Sequence, residues 1–283
     1  STKNQFRRDR TMERFIADPK EKRDRWAINF TYIMDEDAIP PEQHGGRAKI
    51  KEFTNAYDRE IALPFWLETR PETITPEVIA ELSKHCLGIS VGVESGSPEI
   101  RSRVMKRGME QKKILEAIET LAKRGIPHVS ANMIVGTPYI KNGEVVGETR
   151  EQFFESVRLA REMRDRYPAV NPTWNIFQPY RGTRLRDEMV GAKIIPSEYI
   201  CGDYRTLKGA VGLGSLMSKE TQIGMFRCAA LYTHFPESRW KEVKEAETDD
   251  DTFYGLVEEA KRDYFKDGTV QGAPTKEYRA NPT

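Results

Sequence analysis

The sequence has few cysteines, no long apolar run and almost no net charge, and each shortage excludes a class of protein. Its three cysteines, Cys86, Cys201 and Cys228, are widely spaced and odd in number, which argues against a disulfide scaffold and predicts a reducing, cytoplasmic compartment. No stretch approaches the roughly 18 apolar residues that span a bilayer, and no signal-peptide pattern opens the sequence. Lys and Arg number 45 against 44 Asp and Glu, so the bulk charge predicts neither DNA nor a membrane as a partner.

Several signatures of catalysis and metal binding are also missing from the sequence. The four histidines, His44, His85, His128 and His234, do not have the spacing of metal ligands. No nucleophile elbow, phosphate-binding loop or zinc signature occurs. We therefore predict no metal ligands in this chain.

The first 25 residues are rich in Arg and Lys and begin without an initiator Met. They contain one short helix candidate, Thr11 to Ile16. We expect the sequence to begin inside a longer protein, just before a strand, and a processed or cloned end is the alternative.

Short apolar runs alternate with amphipathic stretches along the first two thirds of the sequence, which predicts parallel strands joined by helices. The predicted strands cover residues 29–35, 63–69, 88–93, 129–135 and 173–178, and the helices between and after them cover 47–59, 75–85, 109–124 and 149–167. Such strand–helix units require right-handed crossovers and a parallel sheet. No glycine fingerprint for phosphate follows any strand, which favours a full or partial (β/α) barrel over a doubly wound sheet.

The pattern changes from residue 186 onward, where two further helices are predicted at 218–233 and 252–265. The predicted organisation is a partial barrel over residues 1–185, a helical C-terminal extension over 186–266 and a loose tail over 267–283.

In parallel barrels, the carboxyl ends of the strands and the loops after them carry the functional site. The residues at these positions are Asp35, Glu36, Thr69, Arg70, Glu94, Ser95, Gly136, Pro138, Gln178, Pro179 and Tyr180. Side chains of both charge signs therefore converge on one rim, as a small zwitterionic ligand requires. Taken singly, a carboxylate at a strand end is also an ordinary cap of the next helix, and Arg70 is equally suited to pairing with a loop acid.

The segment Glu94-Ser95-Gly96-Ser97 carries more information than the other strand ends. Small residues after the carboxylate let backbone come close to a ligand, and Glu94 is able to accept hydrogen bonds from ligand hydroxyls or an amine. Ser97 ahead of Pro98 also reads as the N-cap of a helix, and the two interpretations are compatible.

The motifs ISVGVESGSPEI, ANMIVGTP, GETREQF and WNIFQPYRGTRL occur in the order seen in radical S-adenosylmethionine (radical SAM) enzymes. Together with FTYIMDED and LETRPETITPEVIAELSKHC, they resemble the branch whose members carry a cobalamin-binding domain. The resemblance covers residues 29–185. It implies a partial parallel barrel, S-adenosylmethionine across the strand ends, a [4Fe–4S] cluster that cleaves it reductively and, in this branch, cobalamin.

Carried over by position, the resemblance implies a role for each strand end, while the catalytic residues remain unknown. Asp35 and Glu36 would face the methionine amino group. Glu94 and Ser95 would contact the ribose or carboxylate side of the ligand. Arg70 would neutralise a carboxylate of the cofactor or the substrate.

The remaining strand ends would enclose the adenosyl group. The resemblance places Gly136 and Pro138 beneath the adenine, and Gln178, Pro179 and Tyr180 would close that end of the site.

The sequence departs from the family pattern in two places. The three closely spaced cysteines that hold the cluster are absent, so we expect the cluster ligands upstream of this chain and interpret Cys86 as a core residue. An insertion, Tyr139 to Val146, precedes Gly147, and it is either a substrate loop or a surface hairpin, with the surface reading slightly favoured.

Three functions remain open at this point. The first is a catalytic fragment of a radical SAM enzyme that acts on a small molecule or peptide, receives electrons from a flavodoxin or ferredoxin, and with cobalamin transfers methyl groups. The second is a cluster-free barrel that binds a nucleotide-like ligand or a partner. The third is a metal-dependent lyase or aldolase barrel that uses Asp35, Glu36 and Glu94.

Overall fold

The computed structural model describes residues 11–34, 38–104, 109–203, 205, 210 and 217–266. The strands are β1 (Thr31–Ile33), β2 (Phe65–Thr69), β3 (Cys86–Glu94), β4 (His128–Val135), β5 (Tyr139–Lys141), β6 (Glu144–Val146) and β7 (Val170–Ile176). The helices are α1 (Met12–Trp26), α2 (Gly46–Glu60), α3 (Pro76–Ala80), α4 (Pro98–Arg103), α5 (Gln111–Arg124), α6 (Arg150–Arg166), α7 (Arg184–Gly191), α8 (Lys219–His234), α9 (Trp240–Glu245) and α10 (Asp250–Lys266), with short 3₁₀ turns at Glu42–His44, Pro71–Thr73 and Glu237–Arg239.

Five strands form one sheet in the order β1-β2-β3-β4-β7, and each strand is parallel to its neighbours. The order follows the chain without the reversal that defines a doubly wound sheet. Helices connect successive strands, as parallel neighbours require. The predicted parallel α/β architecture of a partial (β/α) barrel is therefore confirmed, and all five carboxyl ends lie along one edge of the sheet.

The two faces of the sheet differ in polarity because successive side chains point to opposite sides of a strand. Ile89, Val91 and Val93 of β3 are buried in the hydrophobic core. Ser90 and Gly92 alternate with them and lie on the opposite face. The same alternation holds in β2 and β4, so one face packs against helices and the other, here called the polar face, carries hydroxyl, amide and carboxylate groups.

The helices form where the sequence supplies an apolar stripe and a cap. In α5 the residues Ile114, Ala117, Ile118 and Leu121 are buried on one side, and the helix ends at Gly125 in the left-handed conformation. Thr149 begins α6 with a capping box in which Thr149 and Gln152 satisfy each other's backbone N–H groups.

The C-terminal helices pack against α6 through an aromatic cluster formed by Phe153, Phe154, Tyr232 and Trp240. The rings of Phe154 and Trp240 stack with their centroids 4.4 Å apart. The two predicted C-terminal helices are confirmed as α8 and α10, whereas α7 and α9 were not predicted.

The structure corrects several predicted boundaries. Helix α1 runs to Trp26 and not to Ile16, and α3 ends at Ala80 and not at residue 85. The insertion forms the hairpin β5–β6, whose turn residues Asn142 and Gly143 are exposed.

The predicted domain boundaries at 185 and 266 stay predictions, and the tail at 267–283 lies outside the described residues. Within the described part of the chain, no helix combines the length and the apolar character needed to cross a bilayer.

Candidate functional site

The carboxyl ends of β2, β3, β4 and β7 bring most of the predicted site residues to one edge of the sheet. Glu94 pairs in register with Met133 near the end of β4, and Val135 pairs with Ile176 at the end of β7. Asp35 and Glu36, which follow β1, lie outside the described residues.

Glu94 is the last residue of β3 and has an unusual backbone conformation. Its φ is 71°, in the left-handed region that is uncommon outside glycine, and a register shift separates Gly92 from Glu94. The carboxylate folds back along the strand, so that a Cβ on Gly92 would lie 2.5 Å from Glu94 Oε1. The bulge therefore aims a partly exposed carboxylate along the polar face at the carboxyl edge.

Gly136 forms a second turn at the neighbouring strand end. Its φ of 76° favours glycine, and its backbone N–H donates to Glu148 Oε2 at 2.6 Å. A Cβ here would lie 2.5 Å from Nε2 of Gln222, a buried residue of α8. Thr137 and Pro138, which follow, are buried. The loop Gly136-Thr137-Pro138, here called the β4 loop, is thus held in place by the buried side chains of Glu148 and Gln222.

Glu148 is a carboxyl group enclosed by protein. Burial raises the pKa of Glu148 to about 8, although the backbone N–H groups of Gly136 and Thr137 act in the opposite direction. Its Oε1 has no hydrogen-bond partner among the described residues. The carboxyl group is consequently mostly protonated near neutral pH.

The segment after Glu94 is turned toward α6 and not toward the edge of the sheet. The Ser95 hydroxyl lies 3.2 Å from Ser156 Oγ and accepts the Ser97 N–H at 3.0 Å. A Cβ on Gly96 would overlap the Glu155 carbonyl oxygen. The small residues here are required by the close approach of a helix, which the sequence reasoning attributed to a ligand.

The residues after β7 contact both α7 and the segment that follows it. Gln178 is buried, and its Oε1 accepts the Gly202 N–H at 3.0 Å. The Pro179 carbonyl accepts from Arg186 Nη1 at 2.8 Å. Tyr180 is half-exposed at the same edge.

Arg70 follows β2 and is partly buried. It lines a groove of about 1210 Å³ between the 3₁₀ turn Pro71–Thr73, α3 and α5. Among the predicted site residues that the structure describes, Arg70 alone lines this groove.

The polar face carries a row of three rings that the sequence reasoning missed. Tyr32, Trp66 and His128 lie nearly parallel, with centroids 6.4 Å and 6.3 Å apart, and Trp66 lies over Gly88. The sequence of β2 contains the pattern that predicts this face, because Trp66 and Glu68 alternate with three buried residues.

Hydrogen bonds tie this face together across the strands. The Tyr32 hydroxyl donates to Glu68 Oε1 and the Trp66 indole to Ser90 Oγ, both at 2.8 Å. Ser130 Oγ lies 2.6 Å from Thr173 Oγ1. Burial raises the pKa of the Tyr32 hydroxyl above its ordinary value.

No group of three His, Cys, Asp or Glu side chains suited to a metal ion occurs among the described residues. Cys86 and Cys228 are buried, and burial raises the pKa of each thiol to about 12, which confirms Cys86 as a core residue. The described residues therefore do not fit an iron–sulfur cluster, whose usual ligands are thiolates.

The fold defines an α/β protein with a five-stranded parallel sheet, whose strand ends carry most of the described candidate residues. The sequence matches the Radical SAM superfamily over residues 5–151, about half of the chain, and the chain belongs to that superfamily. Membership implies S-adenosylmethionine and a [4Fe–4S] cluster as the cofactors of the family.

Two curated relatives match part of the chain. An uncharacterized protein of Methanocaldococcus jannaschii is 30% identical over 118 residues, which is 40% of this chain and 30% of that protein. The tRNA-2-methylthio-N(6)-dimethylallyladenosine synthase of Clostridium botulinum is 32% identical over 121 residues, 41% of this chain and 24% of the synthase. The matched region thus spans less than a third of each relative.

Among solved structures, coproporphyrinogen III oxidase (HemN) from Escherichia coli, a radical SAM enzyme, is similar with a TM-score of 0.40 and 15% identity. The match covers 60% of this chain and 38% of that one.

Proposed function

We propose that this chain is the S-adenosylmethionine-binding part of a radical SAM enzyme and that the ligand lies at the carboxyl edge of the sheet. The observation that carries the proposal is the pair of constrained turns at neighbouring strand ends. The bulge at Glu94 supplies a carboxylate, and the β4 loop turns sharply at Gly136, whose φ is 76°. Superfamily membership supplies the identity of the ligand.

Each group at this edge has a role that its chemistry suits. Glu94 accepts hydrogen bonds from ligand hydroxyls or the amine, and Gly136 and Pro138 lie under the adenine. The motif resemblance assigns Asp35 and Glu36, which lie outside the described residues, to the amine as well.

The outer groups of the edge complete the proposed site. Arg70 neutralises a carboxylate, and Gln178, Pro179 and Tyr180 close the adenine end. The Ser95 hydroxyl already bonds within the protein, so in this proposal Ser95 holds the turn that presents Glu94.

The reaction would be one-electron reductive cleavage of the S–C5′ bond of S-adenosylmethionine, which would give methionine and a 5′-deoxyadenosyl radical, with the electron supplied by a flavodoxin or ferredoxin. Residues 1–283 contain only widely spaced cysteines, so this proposal takes the cluster ligands from outside this sequence. The part of this chain is to bind and orient the ligand and to exclude water, because the cofactors carry the hard chemistry. The motif resemblance favours cobalamin-assisted methyl transfer as the specific outcome.

The test uses the product of the complete reading frame, reconstituted anaerobically with iron and sulfide. We expect a brown protein that binds S-adenosylmethionine, measured by equilibrium dialysis. Glu94→Gln should weaken that binding roughly 10- to 100-fold, because a hydrogen bond to a charged group contributes about 1.5–3 kcal/mol. Glu119→Gln on α5 serves as the matched control. A colourless protein, or equal affinity in both variants, would contradict the proposal.

A second candidate is a cluster-free barrel that binds a nucleotide-like ligand, and the missing cysteine triplet favours it. Calorimetry of the 283-residue chain without iron, read together with the reconstitution above, separates the two candidates. Micromolar binding of S-adenosylmethionine by the iron-free chain, with a protein that stays colourless after reconstitution, supports the cluster-free barrel.

A further inference from the structure

The C-terminal helices reach the β4 loop directly. Gln222 of α8 is fully buried, and its side chain packs on Gly136 so closely that a Cβ there would lie 2.5 Å from Nε2 and 3.0 Å from Cγ. Gln222 lies well beyond residue 151, where the superfamily match ends. A residue outside the matched region therefore forms part of the support of the loop.

A partly buried ion pair makes a second connection. Arg150 Nη1 and Nη2 donate to Glu247 Oε1 and Oε2 at 2.5 Å and 2.8 Å, and the Tyr232 hydroxyl donates to Glu247 Oε1 at 2.6 Å. Glu247, between α9 and α10, is 9% exposed. A bidentate pair of this kind fixes orientation as well as distance.

Arg150 is the first residue of α6, two residues after Glu148. Glu148 in turn accepts the Gly136 N–H at 2.6 Å. The ion pair to Glu247 thus holds the start of α6, and through Glu148 it fixes the backbone of the same loop that Gln222 contacts.

We propose that Glu247 and Gln222 are positioning residues, through which the C-terminal helices hold the β4 loop in the shape that receives the ligand. This inference rests on the proposed function for the identity of the ligand, but the support of the loop is a property of the chain itself. Glu247 acts through Arg150 and Glu148, and Gln222 acts by packing on Gly136.

The experiment compares two ion pairs of the same chemistry in the reconstituted full-length protein. Glu247→Gln breaks the pair to Arg150. Glu259→Gln breaks the bidentate pair between Arg239 and Glu259, whose two N–O distances are 2.5 Å and 3.0 Å. Neither side chain of this pair hydrogen-bonds to α6 among the described residues. Amide hydrogen exchange at Gly136 and Thr137 is the first readout, and dialysis with S-adenosylmethionine is the second.

We expect Glu247→Gln to raise exchange at Gly136 and Thr137 at least tenfold and to weaken binding, whereas Glu259→Gln lowers Tm without either effect. Arg150→Lys keeps the positive charge but cannot form the two parallel hydrogen bonds to Glu247, so it should raise exchange at the same amides by a smaller factor. If Glu247→Gln does not fold, Arg150→Lys is used in its place.

Unchanged amide exchange at Gly136 and Thr137 in both Glu247→Gln and Arg150→Lys would overturn the positioning role, whether or not the variants bind S-adenosylmethionine. If exchange rises in Glu247→Gln but the wild-type protein binds no S-adenosylmethionine, the positioning role is supported and the proposed function is refuted.

Discussion

At the scale of single residues, Glu148 holds an acidic proton where an exposed carboxyl group would have lost it. Its pKa is raised from 4.5 to about 8 by burial. Between these pH values the unfolded chain releases a proton that the folded chain keeps. The free energy of unfolding therefore falls as pH rises, by up to about 1.4 kcal/mol per pH unit.

Glu148→Gln should remove this dependence, because an amide does not titrate and its oxygen is still able to accept the Gly136 N–H. We expect the variant to gain stability relative to the wild type from pH 5 toward about pH 8. Urea unfolding at several pH values measures the difference. Glu144→Gln, at the exposed end of the hairpin, is the control. Parallel curves for wild type and Glu148→Gln would show that Glu148 is ionised in the folded protein.

Sequence reasoning at this scale found positions more readily than orientations. Glu94 and Gly136 follow apolar runs, so their place at the strand ends could be predicted. Ser95 follows Glu94 equally closely, yet its hydroxyl meets Ser156, which is 61 residues away along the chain. Such a contact depends on how α6 crosses the sheet, and no local pattern encodes it.

At the scale of elements, the contact between α6 and the loop after β3 depends on the absence of a side chain at Gly96. A Cβ would overlap the backbone of Glu155 and push the helix away. We expect Gly96→Ala to lower the free energy of unfolding by about 1–3 kcal/mol, as overpacking does.

Gly191→Ala is the matched control, because a Cβ at Gly191 meets nothing within 4 Å. Chemical denaturation of both variants measures the difference. Equal stabilities would mean that α6 shifts at no cost and that the close approach is not required.

The boundaries that were wrong have physical causes. The second half of α1 lacks an apolar stripe, and it is held instead by the ion pair Lys22–Asp18 and by Arg23, which donates to the carbonyls of Glu60 and Ile61. By contrast, the favoured interpretation of Tyr139 to Val146 as a surface hairpin is confirmed, and Asn142-Gly143 forms its two-residue turn with both φ angles positive.

At the scale of the whole molecule, the aromatic cluster joins the C-terminal helices to the sheet-bearing part. Phe153 contacts Trp174 of β7 as well as Tyr232 of α8. The predicted boundary at residue 185 stays a prediction. Phe153 and Tyr232 lie on opposite sides of it and are in contact, which neither composition nor spacing along the chain could indicate.

We expect a chain that ends at residue 185 to lose most of its stability, because it exposes Phe153, Phe154 and Trp174 to water. Circular dichroism and tryptophan fluorescence during thermal unfolding measure this. The 283-residue chain should show one coincident transition by both probes. A stable fragment with an unchanged helical signal would instead establish residue 185 as a domain boundary.

The two outer strands of the sheet also bear on self-association. An unpaired strand edge is a template on which another molecule adds a strand, and long flat edges promote aggregation. Here β1 has three residues, and β7 carries Pro172, which lacks an N–H to donate. In the described chain, both edges are poor templates, which should disfavour fibre-like stacking of one molecule on the next.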